Sequence, residues 1–321
     1  MPVDAMTASI TSLLEGVSAE IVPSAPLAPL TWFGVGGPCD ALVHPQDLPA
    51  LQETLRRCRG AGVPVRVLGS GANLLVDDSG VDGVVLRLDR GSFAGWTFEA
   101  DGVPGRVRAG AGADMSKLMH EAARLGWAGL EAMSGIPASV GGAIWMNAGG
   151  KFGAIGDVVE SVTLVDGEGR LHEIARPAIG FAYRHTTLPR GIVAEACLQL
   201  RGDDAAAVRD RVREHMRYKK ESQPMAENSA GCMFRNPTLP SGERVSAGML
   251  IDRAGLKGRR EGGASVSPTH ANFICVDRGG KAADVRRLVE AIVEGVRQAH
   301  GVTLQTEVAF WKRGDRAGAI E

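Results

Sequence analysis

Along the chain, short apolar runs alternate with stretches whose apolar residues recur at helical spacing, a grammar that predicts an α/β protein. Helical spacing runs from 48 to 60 and gives way to the apolar strand Val65-Arg-Val-Leu68, with β-like runs next at 84 to 88 and 106 to 108. A second helix, Met115 to Leu125, should stop at Gly126, because glycine takes the left-handed C-cap conformation without strain. Residues 158–165 and 191–200 read as strands. Composition then shifts to a charged helix over 203–220, and a domain boundary is expected just before it. Beyond it come a helix at 247–254, the strand Asn272 to Val276, a long helix from Ala282 to His300 and a last strand from Val302 to Val308. The expected organisation is 1–30 as a helix around Ile10 to Val17 plus a connector with Pro23, Pro26 and Pro29, 31–202 as one domain, and 203–321 as a smaller α/β domain.

Composition narrows the classes. The chain of 321 residues carries 36 Lys+Arg against 37 Asp+Glu, so no basic footprint for nucleic acid is present. Five cysteines at 39, 58, 197, 232 and 275 are odd in number and lack metal-ligand spacing, which predicts reduced thiols in a cytoplasm, no disulfide framework and no metal. No leader pattern and no membrane-length apolar window is read from the sequence, and a monomer or weak oligomer is expected. The 43 glycines are an excess that calls for tight turns and close backbone approach.

Two glycine-rich turns stand out. Leu68-Gly-Ser-Gly-Ala-Asn-Leu-Leu75 follows a strand, yet it lacks the third glycine of a dinucleotide fingerprint and the Gly-Lys-Ser/Thr of a phosphate loop. Ser134 to Gly149 contains Gly141-Gly142, where bare N–H groups can wrap a pyrophosphate. Either turn alone most often just connects strands; two in one domain favour a bound anionic cofactor.

Ordered motifs make the pattern specific: Thr31-Trp-Phe-Gly-Val-Gly-Gly37, the 68–75 turn, Gly135-Ile-Pro-Ala-Ser-Val-Gly-Gly-Ala143, Met146-Asn-Ala-Gly149, Phe181-Ala-Tyr-Arg184, Ser229-Ala-Gly-Cys-Met-Phe-Arg-Asn-Pro237, the run from Ala247 to Gly258, His270-Ala-Asn-Phe273 and Glu307. Over about residues 31 to 310 the chain resembles the UDP-N-acetylenolpyruvoylglucosamine reductases (UDP-N-acetylmuramate dehydrogenases) of bacterial peptidoglycan synthesis. The short Tyr183 to Leu200 region is similar to that of their shorter, second class.

The resemblance implies an FAD domain of the vanillyl-alcohol-oxidase type, made of two subdomains, followed by the substrate domain. It implies NADPH as co-substrate and a UDP-sugar as substrate, with hydride going from flavin N5 to C3 of the enolpyruvyl group and a proton to C2. FAD is then expected on Leu68, Gly69, Ser70, Gly71, Ala72, Asn73 and Leu74, on Gly135, Ile136, Pro137, Ser139, Val140, Gly141 and Gly142, and on Asn147. The catalytic residues implied are Cys232 as proton donor, where relatives commonly carry serine, Arg184 as the fork on the enolate carboxylate, and Glu307. A thiol, with an ordinary pKa near ~8.5, is a far better acid than an aliphatic hydroxyl and is still protonated at neutral pH. Tyr183, Lys220, Asn236 and His270 are expected at the substrate, with the run Tyr218-Lys219-Lys220 a candidate for its diphosphate; Lys219 and Lys220 equally suit a solvated helix face. Two other readings are a flavin oxidase of the same cofactor fold and a non-catalytic flavin-binding module. The first leaves the Cys232 loop and Glu307 without a use, and the second leaves the acidic and charged roles unexplained.

Overall fold

The computed structural model describes residues 9–316 and 318–320. Three apolar clusters organise it. The first strands form a five-stranded sheet in the order Ala19–Pro23, Cys39–Pro45, Val81–Leu86, Val65–Val67 and Ala319–Ile320. Its central pairs are parallel, and parallel neighbours need a crossover; the helix Leu48–Gly60 supplies it, capped by the Asp47 carboxylate accepting from Ala50 N at 2.9 Å. The second sheet, also five-stranded, is antiparallel throughout: Leu171–Ala175, Val159–Val165, Ile192–Gln199, Arg106–Gly110 and Trp96–Phe98. Helix Met115–Leu125 packs on it through Met115, Leu118, Met119, Ala122 and Ala123 and ends at Gly126 with φ +80, the predicted left-handed cap.

A third unit gathers a three-stranded sheet, Arg260–Glu261, Ala264–Val266 and Ile274–Val276, with helices Ala247–Arg253 and Ala282–His300. Its core takes Leu288, Ile292 and Val296 from the long helix, and also Phe33, Val35 and Leu75 from early in the chain. Helix Ala205–Ser222, expected to open this unit, buries Val208 and Val212 in the first cluster instead.

Two expectations change. Residues 19–23 are not connector but an edge strand, antiparallel to Cys39–Pro45; Pro23 is tolerated because it closes an edge strand. The strand expected at Val302 to Val308 is absent: that stretch is extended, bridged only at Thr306 to Phe234, and the regular strand is Ala309–Trp311, parallel to Leu74–Val76. The tail is knitted back onto the first sheet. Trp311 is buried in the cluster with Cys39 and Val85, Arg313 pairs with the buried Asp40 at 2.8 Å, and Ala319–Ile320 adds the last strand. Among the described residues no helix is long and apolar enough to cross a membrane.

Candidate active site

Arg184 stands at the tip of a two-residue hairpin between Phe181–Ala182 and His185–Thr186. Its φ of +53 is a left-handed conformation that a non-glycine residue keeps only when its surroundings hold it. The holding is visible. Asn147 donates Nδ2 to Ala182 O at 2.8 Å while its Oδ1 accepts from Gly156 N at 3.1 Å. Across the hairpin, Thr186 Oγ1 donates to Trp145 O at 3.1 Å. From this tip Arg184 Nε donates to Glu307 Oε1 at 2.6 Å. Among the described residues no other acceptor takes the two Nη groups, and the guanidinium lies 5.1 Å from the Tyr183 ring.

The Glu307 side chain is only 10% exposed. Its second oxygen, Oε2, is buried with no hydrogen-bond partner. Burial pushes its carboxyl above the ordinary range, and Arg184 works against the rise. An orphaned buried acceptor is costly unless something arrives to satisfy it, so Oε2 marks a place where a ligand group or water belongs.

Cys232 comes from a third part of the chain. The 229–234 loop is clamped by Asn272, whose Oδ1 accepts from Phe234 N at 2.9 Å and whose Nδ2 donates to Phe234 O at 2.8 Å. Met233 N adds a bond to Asn272 O at 2.7 Å. Gly231, with φ +78, provides the turn. Burial pushes the thiol up to about 12; Glu307 adds to the rise, and Arg184, Asn272 and Lys219 oppose it. The proton therefore stays on sulfur at every physiological pH, which a proton donor requires.

Beside Arg184, this cluster holds a further cation, Lys219. It is buried, whereas the next residue, Lys220, is exposed. Burial and the Arg184 charge push the Lys219 amine down to about 8. Its stem lies against Gly135, where a Cβ would meet Lys219 Cδ at 3.0 Å, so the second glycine turn and the acid–base cluster touch. Sequence held the signal. Val208, Val212 and Lys219 fall on one buried helical stripe, a period that selects Lys219 over its neighbour.

The two glycine turns face each other. Ser70 Oγ donates to Pro137 O at 2.7 Å, and Ser139 Oγ lies 2.7 Å from where a Cβ on Gly69 would stand. Among the described residues the N–H groups of Gly69, Ser70, Gly71 and Ala72 reach no acceptor in the protein. A run of free N–H donors is what a pyrophosphate needs, so the first turn fits FAD. Gly142 is exposed, and a Cβ there would meet only Ser139 Oγ, at 3.2 Å.

Other expected contacts sit differently. Leu68, Leu74 and Val140 are packed in apolar clusters, and a Cβ on Gly141 would strike Ala111. Gly71 presses on the Leu30 carbonyl, leaving no room for a side chain. Gly135, Ile136 and Pro137 line the second turn with partial exposure. Asn147 spends both ends of its amide on backbone, and Asn73 donates to Glu307 O at 3.2 Å. Tyr183 is exposed between Arg184 and Arg244, whose guanidinium is 4.5 Å from the ring. Asn236 Oδ1 accepts from Ala247 N at 3.0 Å, fixing a helix start. His270 packs edge-on against Phe273 and accepts from Asn272 N at 3.2 Å, and burial pushes its pKa down.

Comparison with known proteins adds the family context. The family model described as UDP-N-acetylenolpyruvoylglucosamine reductase, C-terminal domain, matches residues 223–311, and the one described as FAD binding domain matches 39–175. The UDP-N-acetylenolpyruvoylglucosamine reductase of Heliobacterium modesticaldum is 39% identical, covering 97% of this chain and 96% of its own length. The Moorella thermoacetica protein of the same name is 37% identical over 96% of this chain and 99% of its own length. The crystal structure of the Thermus caldophilus reductase superposes with a TM-score of 0.77 at 38% identity, covering 91% of this chain and 98% of that one.

Proposed function

The chain belongs to the UDP-N-acetylenolpyruvoylglucosamine reductase family, and from that premise we propose that Arg184, Cys232 and Glu307 carry its chemistry, with Lys219 as a counter-ion for the substrate. The protein is an FAD-dependent oxidoreductase that uses NADPH to reduce the enolpyruvyl group of UDP-N-acetylglucosamine enolpyruvate, giving UDP-N-acetylmuramate for peptidoglycan synthesis. The observation that supports the residue roles is the convergence of three distant segments. Their side chains offer a guanidinium with free Nη donors, a protonated thiol and a carboxyl with one unsatisfied oxygen. Lys219, whose charge is felt by Cys232 and which itself feels Arg184, lies with its stem against Gly135 of the second turn.

The 69–72 amides and the 135–142 turn would hold FAD, which when bound would supply the hydride for C3 of the substrate. Negative charge then develops at C2 and on the adjoining carboxylate. The two Nη groups of Arg184 hold that carboxylate as a planar fork, while Nε stays on Glu307. Cys232 gives its proton to C2. Glu307, paired with Arg184 through Oε1, presents its unpartnered Oε2 to the reacting group, where a proton or a bridging water is required to keep the carboxylate from repelling the enolate.

Arg184 is already paired with Glu307, so the buried Lys219 beside it is assigned to balance an anionic group of the substrate. Lys219→Met should raise KM for the enolpyruvyl substrate by about tenfold, the size of a lost charged hydrogen bond. The sign of the pH effect follows from the downward shift. As pH rises through about 8 the amine loses its charge, so wild-type KM should climb there while the Met variant stays flat. Equal pH dependence in both proteins removes Lys219 from the substrate.

Gly142→Val should purify with little flavin, because the new branch enters the space in front of Ser139 while meeting no other protein atom within 4 Å of its Cβ. Absorbance of the purified protein checks this; full occupancy means that the 135–142 turn is not part of the cofactor site. Gly71→Val is a poorer probe, since it would clash with Leu30 and disturb the fold itself.

We infer a substrate unit from residue 223 onward, a reading supported by Val208 and Val212, which pack the preceding helix into the first cluster. All five cysteines are free thiols, as a reducing compartment keeps them, which supports a cytoplasmic enzyme.

A further inference from the structure

The segment that carries Glu307 has no regular structure of its own: its neighbour Thr306 makes one isolated bridge, and the parallel ladder starts only at Ala309. A buried acid must nevertheless be aimed closely, which takes supporting contacts to its own backbone. On one side, Glu307 N donates to Met233 O at 2.8 Å, tying it to the Cys232 loop. On the other, Asn73 brackets the residue. Its Nδ2 donates to Glu307 O at 3.2 Å, and its carbonyl accepts from Ala309 N at 3.1 Å.

Asn73 directly follows the four unpartnered amides of 69–72 and directly precedes the strand Leu74–Val76 that pairs with Ala309–Trp311. We propose that Asn73 is a positioning residue that aims the Glu307 carboxyl by holding its backbone to the cofactor turn. The backbone half of the bracket survives any substitution; the side-chain half needs an amide of this length. Alanine removes the donor. Aspartate keeps the shape but cannot donate and sets its charge against the Glu307 carbonyl.

The inference rests on the role given to Glu307 above, and the test separates the two. Asn73→Ala, Glu307→Gln and the double variant are each loaded with FAD, reduced anaerobically with NADPH and mixed with the enolpyruvyl substrate. Expected for Asn73→Ala are full flavin content, normal reduction by NADPH and reoxidation slowed by about tenfold or more, the cost of a misplaced catalytic group. In the Glu307→Gln background the same change should add less than about twofold, since coupled residues are non-additive. Loss of flavin or of NADPH reduction in Asn73→Ala, normal reoxidation, or a full additive effect in the double variant overturns the positioning role. Normal reoxidation by Glu307→Gln alone overturns instead the role of Glu307. If Asn73→Ala does not fold, Asn73→Asp is read by the same cycle, with the same expected and contrary results.

Discussion

Cys232→Ala is expected to bind FAD and bleach normally with NADPH, yet to be reoxidised by the enolpyruvyl substrate about 10²- to 10⁴-fold more slowly, the range for a lost general acid. The two half-reactions part because NADPH asks nothing of the thiol, whereas reduction at C3 forces a proton onto C2. The structure strengthens the case. Burial holds the thiol at about 12, so the acid form is complete across the working pH range and no alkaline limb should come from Cys232. Removing the sulfur leaves the loop in place, because Asn272 clamps the neighbouring Met233 and Phe234 backbone rather than relying on residue 232. Cys232→Ser should retain much of the activity, since a hydroxyl there can give the same proton with similar reach. Anaerobic stopped-flow at the flavin absorbance separates the steps. Reoxidation of Cys232→Ala at the wild-type rate would make the cysteine a filler and pass the proton to Glu307 or a water.

Arg184→Lys is expected to lower turnover by about 10², comparable with losing one preorganised donor at a developing charge. The charge is kept, but the geometry is not. Arginine gives Nε to Glu307 at 2.6 Å, and the proposed role uses the Nη pair for the substrate, whereas an ammonium is a single point that cannot serve both. The carboxyl left behind matters too. With burial as the largest influence on Glu307 and Arg184 as its main opponent, a weakened ion pair should raise the Glu307 pKa further. The backbone is spared, because Asn147 and Thr186 hold the hairpin independently of the side chain. Steady-state turnover, with a melting curve to show that the fold is intact, measures it. Near-normal turnover excludes Arg184 from the site.

How far the sequence could be read depended on the range of the interactions involved. Helices Met115–Leu125 and Ala282–His300 were legible because periodicity and a glycine cap are local signals, and both end on glycines of positive φ, Gly126 and Gly301. The strand Ala19–Pro23 was not, since its partner Cys39–Pro45 lies beyond a run of prolines that reads as connector. Nor was the true last strand: Ala309–Trp311 is defined by Leu74–Val76 from the other end of the chain, and no window of sequence contains that pairing.

The site divides in the same way. Arg184, Cys232 and Glu307 stood out through motif resemblance, while nothing in their spacing placed them together. Lys219 and Lys220 are adjacent in sequence, and only the turn of the helix decides which one is buried. Asn73 and Asn147, expected on the cofactor because they sit in glycine-rich turns, use their amides to hold Glu307 and the Arg184 hairpin. Their role depends on a partner that sequence could not supply.

The most direct test of the account uses the unaltered protein. Purified enzyme is bleached with NADPH under strict anaerobiosis, freed of excess reductant, and mixed in parallel with UDP-N-acetylglucosamine enolpyruvate or with oxygenated buffer. The account predicts that the yellow colour returns rapidly with one equivalent of the enolpyruvyl substrate, with UDP-N-acetylmuramate formed, and far more slowly with oxygen. Rapid recovery with oxygen and none with the enolpyruvyl substrate would contradict it.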